Sequence, residues 1–145
     1  MTRCVPSFLG MIVLSLCVSC SGGGKRPQVE DNGLALPEDE ELRRTSVAIK
    51  ASVLSAHMEN PYEYTLHLKV DSVVAAEGTE FQVRRGDSLT VLPNFVYLGP
   101  GLLDMRWEAN RVLMALGRAR KGERLNAVVA LAKDGKRMLI DGKKE

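Results

Sequence analysis

From Thr45 onward the chain alternates apolar and polar positions. Val47, Ile49, Ala51 and Val53 are separated by Ala48, Lys50 and Ser52, the period of a strand with one face against a core. A turn at Glu59-Asn60-Pro61 follows. Tyr62, Tyr64, Leu66, Leu68 and Val70 then alternate with Glu63, Thr65, His67, Lys69 and Asp71, the cleanest pattern of one buried and one wetted face in the chain. Gly86-Asp87 opens a third run, Ser88-Leu89-Thr90-Val91-Leu92. Pro93, Gly99, Pro100 and Gly101 mark a long irregular crossing. Near the end, residues 124–131 and 136–140 flank Lys133-Asp134-Gly135, an Asp-Gly hairpin cue between apolar runs.

Between Asp104 and Ala119 two periods compete. Met105, Ala109, Val112 and Leu116 share a helical stripe, and Leu, Met, Ala, Glu and Arg favour helix. Val112, Met114 and Leu116 also alternate, and Arg120-Lys121-Gly122-Glu123 could turn such a strand back onto 125–131. Both assignments stay open across residues 105–117. Either way the domain is mainly β: a small antiparallel barrel of five or six strands with at most one or two short helices. Three strands, a helix and two strands over residues 45–140 resemble the OB-fold. Six strands would be similar to the netrin and tissue-inhibitor barrels.

The first third reads differently. Residues 21–36 hold Gly22, Gly23, Gly24, Pro27 and Gly33 with no hydrophobic period, as a flexible tether does. Pro37-Glu38-Asp39-Glu40-Glu41-Leu42-Arg43-Arg44 places proline and acids first and bases last. That order suits a one- or two-turn helix; a solvated charge run is the alternative. Ahead of the tether, Arg3 precedes the uncharged run from Phe8 to Val18. Such a run is short for a bilayer span of about twenty residues and suits a secretory h-region.

Val18-Ser19-Cys20 at the end of that run resembles the lipobox of bacterial lipoproteins, with Cys17 standing where leucine is usual. The resemblance implies a signal peptide over residues 1–19 and cleavage before Cys20. It also implies a diacylglycerol thioether on Cys20 and palmitate-type acylation of the new N-terminus. Only a thiolate among side chains takes a stable thioether, and lasting attachment needs more than one acyl chain. Ser21, where enterobacterial lipoproteins retained at the inner membrane carry aspartate, points by the same resemblance to the outer membrane facing the periplasm. The expected organisation is a signal peptide (1–19), a lipidated cysteine and tether (20–44), and a barrel domain (45–145).

Composition narrows the chemistry. The 145 residues are 45% hydrophobic and 26% charged with a net charge of +2, ordinary for a globular domain and silent on partners. Cys4, Cys17 and Cys20 all precede the tether, so the domain contains no disulfide framework, zinc finger or cysteine nucleophile. His57 and His67 match no metal spacing and read as surface residues on the hairpin of the first two strands. Glu38 to Glu41 form a charge run, not a pair of carboxylates facing a cleft. Gly22-Gly23-Gly24 follows no strand, so no phosphate loop is present. Arg85-Gly86-Asp87 spells an adhesion tripeptide, but Arg84-Arg85-Gly86-Asp87 and Arg120-Lys121-Gly122-Glu123 share an order that suits turns entering strands. No metal, cofactor or enzymatic activity is expected.

Binding or assembly in the cell envelope is the leading expectation. Candidate ligand contacts are Phe95, Tyr97, Arg106, Trp107 and Arg111, in or beside the crossing that would form the barrel mouth. Partners would be the bilayer, reached through acylated Cys20, and an anionic lipid or acidic envelope protein meeting the basic C-terminal third. Two alternatives compete: a small hydrolase or inhibitor using residues 93–111, and nucleic-acid binding of the OB type. The second is disfavoured, because Trp107 is the only aromatic near the basic residues.

Overall fold

The computed structural model describes residues 35–78 and 80–145. The expected signal peptide over residues 1–19, the expected acylation site Cys20 and most of the expected tether lie outside the described residues. Nine elements follow in order: α1 (Glu40–Arg44), β1 (Ser46–Asn60), β2 (Glu63–Ala76), β3 (Ser88–Pro93), β4 (Tyr97–Gly99), β5 (Leu102–Leu103), α2 (Glu108–Leu116), β6 (Arg124–Leu131) and β7 (Arg137–Lys144). Five strands close a barrel in the order β1-β2-β3-β7-β6, and β4 and β5 form a separate two-stranded ribbon. Three barrel strands, a helix and two barrel strands is the OB-like alternative of the two orders the sequence allowed. No helix among the described residues is long and apolar enough to cross a membrane.

The alternation read from the sequence lines the barrel. Val47, Ile49, Ala51 and Val53 of β1 meet Tyr64, Leu66, Leu68 and Val70 of β2 in one core. Leu89, Val91, Leu125, Ala127, Val129 and Leu139 complete the wall, and Leu113 and Leu116 of α2 join them. The first two strands run longer than their alternation indicated. Register shifts between Ala48 and Ile49, Lys50 and Ala51, Val53 and Ser55, and Met58 and Asn60 interrupt their pairing. Such bulges raise local twist and let a long ribbon coil around a small barrel.

Closure departs from a purely antiparallel sheet. β3 meets β7 in parallel, with Leu92 opposite Met138 and Pro93 opposite Leu139. Proline has no amide to donate, so it suits the end of a strand at such a seam. Asn94 extends the seam by donating its amide to the Leu139 carbonyl at 2.9 Å.

Two details of the helices differ from the sequence pattern. α1 begins at Glu40 behind the N-cap Asp39, whose carboxylate accepts from the Leu42 amide at 2.8 Å. Aspartate there satisfies a free first-turn donor, which proline cannot do, so Pro37 stays outside. α2 buries Asn110, Leu113 and Leu116. Met105 lies before the helix and is exposed. The stripe is rotated because Asn110 faces inward, onto backbone it bonds.

Candidate functional site

The candidate residues around the crossing do not converge on one pocket. Phe95 is buried and meets Tyr64 edge to face, with ring centroids 6.3 Å apart at 83°. Tyr97 and Trp107 are more than half exposed. Arg106 is held by Asp104, with Nε to Oδ1 at 3.0 Å and an Nη2 to Oδ2 contact of 3.2 Å. Those bonds from Arg106 hold the Asp104 carboxyl below its usual range. Arg111 is exposed on α2. Trp107 borders a shallow depression of about 660 Å³ with Val112, Gly142 and Lys143, and none of the other four candidates lines it.

What the sequence marked as an irregular crossing is a braced hairpin. β4 and β5 pair through Tyr97 with Leu103 and Gly99 with Leu102. Gly101, at φ 70°, sits at its tip. At the base, the Asn110 side chain accepts from the Val96 amide at 2.9 Å and donates to the Val96 carbonyl at 2.7 Å and the Asp104 carbonyl at 2.9 Å. One buried amide side chain thus bonds three backbone groups at the base of the hairpin.

A larger groove of about 760 Å³ lies elsewhere, where three segments far apart in sequence meet. They are the β1–β2 turn, the end of β3 and the β6–β7 hairpin. Tyr62, Leu92, Pro93 and Met138 give it apolar surface, with His57 and Lys136 among the polar residues lining it. Its two rim lysines are ion-paired within the chain, Lys136 3.2 Å from Asp134 and Lys133 3.6 Å from Glu41, and the His57 ring lies 4.0 Å from Glu59. The Lys136 amide, and then its ammonium, lower the Asp134 pKa. His67 is outside the groove and shares a hydrogen bond of 2.9 Å with Thr90 on β3.

The groove coincides with a gap in strand pairing. β2 pairs with β3 only from Leu66 to Lys69. Glu63, Tyr64 and Thr65 line the groove, and no described strand pairs with them on the β3 side. Both turns that frame the groove were legible in sequence, at Asn60-Pro61 and Asp134-Gly135. Their meeting depends on the β3–β7 closure, which no local signal announces.

Some bases of the C-terminal third are ion-paired within the chain. Lys144 lies 3.0 Å from Glu123, and Arg124 lies 3.6 Å from Glu145 and 4.0 Å from Asp71. Among the described residues no group of three or more His, Cys, Asp or Glu side chains could hold a metal ion. Comparison with protein-family models, with curated proteins and with solved structures gives no match.

Proposed function

We propose that this chain is a cell-envelope lipoprotein, acylated at Cys20, whose barrel is a binding module that receives an extended, partly apolar polypeptide segment. The observation that carries the binding half is the groove at the stretch of β2 that no described strand pairs on its β3 side. A strand laid there would find backbone groups of residues 63–65 and apolar side chains of Tyr62, Leu92 and Met138. Strand addition of that kind takes affinity from main-chain hydrogen bonds and selectivity from alternate side-chain pockets. The anchoring half rests on the Val18-Ser19-Cys20 pattern and the glycine-rich stretch after it.

The two halves are tested separately. Globomycin, which blocks lipoprotein signal cleavage, is expected to accumulate an unprocessed form, and Cys20→Ser to release the protein from the membrane fraction. An unchanged membrane fraction for Cys20→Ser counts against anchoring. For binding, a photo-crosslinking residue is placed at position 62 or 138 and, as a control, at Lys121 in the turn before β6. Adducts confined to 62 and 138 support the groove. Equal adducts at 121, or none at the groove positions, remove it.

A further inference from the structure

The β4–β5 hairpin carries apolar surface that the core does not use. No residue from Ser88 to Leu103 is charged. Most of the exposed large hydrophobic side chains among the described residues fall between Val96 and Trp107: Val96, Tyr97, Leu98, Leu102, Met105 and Trp107. Leu98 is 55% exposed and Leu102 59%. Both flank the Gly99-Pro100-Gly101 tip.

This surface is held outward. Phe95 is anchored in the core against Tyr64, Asn110 grips the backbone at Val96 and Asp104, and the Asp104 amide donates to the Val96 carbonyl at 3.0 Å. A braced loop that presents leucines to water marks a contact with something apolar outside the chain.

The arrangement of side chains suits a bilayer. Leucines occupy the tip. Tyr97, paired with Leu103 one step behind the tip, and the exposed Trp107 have polar edges and apolar faces that favour the headgroup level. Further from the tip, the Val96 carbonyl accepts from the Asp104 amide, and the Asp104 carboxylate holds Arg106 at 3.0 Å.

We propose that the Tyr97–Leu103 hairpin, with Trp107, dips into the lipid–water interface as a second attachment point and so orients the barrel on the membrane. The inference rests on the reading of Cys20 as the lipid anchor. Each additional buried apolar side chain strengthens interfacial attachment.

Trp107 is the chain's single tryptophan and therefore reports on this surface alone. The lipidated full-length protein is reconstituted into phosphatidylethanolamine/phosphatidylglycerol vesicles. Flotation tests the anchor, and tryptophan emission tests the hairpin. The inference expects a blue shift and quenching by lipids brominated near the headgroup end of their chains. Leu98→Asp and Leu102→Asp should float as before but lose that quenching severalfold. Solvent-like emission without bromolipid quenching, in protein that floats, overturns the hairpin insertion and leaves the anchor standing. Failure to float overturns the anchor reading and this inference with it. A blue shift that instead follows protein concentration in the absence of vesicles means a second copy covers the patch, and also overturns it.

Discussion

Tyr64 links β2 to α2 and to Phe95 beyond the end of β3. It lies on β2, packs edge-on against Phe95, and donates its hydroxyl proton to the Leu113 carbonyl of α2 at 2.5 Å. Burial pushes its phenol pKa up. A group whose pKa is raised on folding stabilises fully below its unfolded value, about 10 for tyrosine, and loses that contribution as pH rises through the folded value. Tyr64→Phe should therefore cost about 1 kcal/mol near neutrality, since the Leu113 carbonyl keeps its bond from the Gly117 amide. Above about pH 10 the same variant should lose stability less steeply than the parent. Urea denaturation at both pH values checks the crossing trend; parallel slopes would contradict it. Gly117 sharpens the point. Its backbone is helical, at φ −58° and ψ −21°, where alanine ordinarily stabilises. A Cβ there would come within 2.6 Å of Tyr64 Cδ1 and Cε1. Gly117→Ala should thus destabilise by about 1–3 kcal/mol through overpacking, read as a lower denaturation midpoint.

At the scale of elements, one turn is used twice. In Arg84-Arg85-Gly86-Asp87 and Arg120-Lys121-Gly122-Glu123 the first amide donates to the last carboxylate at 2.8 Å. Each glycine has positive φ, 93° and 88°. Gly86 and Asp87 exchange backbone bonds with Val70, as Gly122 and Glu123 do with Val53. Each turn seats the start of a strand against its neighbour in the barrel. The Arg120 amide, and then the Lys144 ammonium, lower the Glu123 pKa. A depressed carboxyl stabilises above its unfolded pKa of about 4.3 and ceases to as pH falls through the folded value. Glu123→Gln should accordingly show a shallower loss of stability on acidification than the parent, measured as thermal midpoint against pH. These turns were legible in sequence because glycine and an acid encode them locally. The strand each one docks on was not. α2 was ambiguous for a related reason: Val112 and Leu116 fit two periods, and the contact that orients the helix, Asn110 with Val96, is non-local. The candidate site shows the same limit. Phe95, Tyr97, Arg106, Trp107 and Arg111 were grouped by proximity in sequence, yet the fold buries one, pairs one and exposes the rest. The groove draws on residues 57–65, 92–94 and 132–138, which no local pattern joins.

For the whole molecule, the question is which apolar surface serves the fold and which faces outward by construction. Leu139 and Leu102 make the comparison with one residue type. Leu139 is fully buried, pairs with Val129 on one side and Pro93 on the other, and so sits in the seam that closes the barrel. Leu139→Ala opens a cavity there and should cost about 2–5 kcal/mol. Leu102 is not among the residues of the buried core and is 59% exposed. Leu102→Ala should change stability by no more than about 0.5 kcal/mol. Both variants are measured by urea denaturation of the same preparation. A large cost at Leu102 would mean that the hairpin is structural surface, and its exposed leucines would then need no external partner. A negligible cost leaves a braced, uncharged tip that folding does not require. A surface so held is what the proposed interfacial contact requires, and the acyl anchor proposed at Cys20 would supply the bilayer.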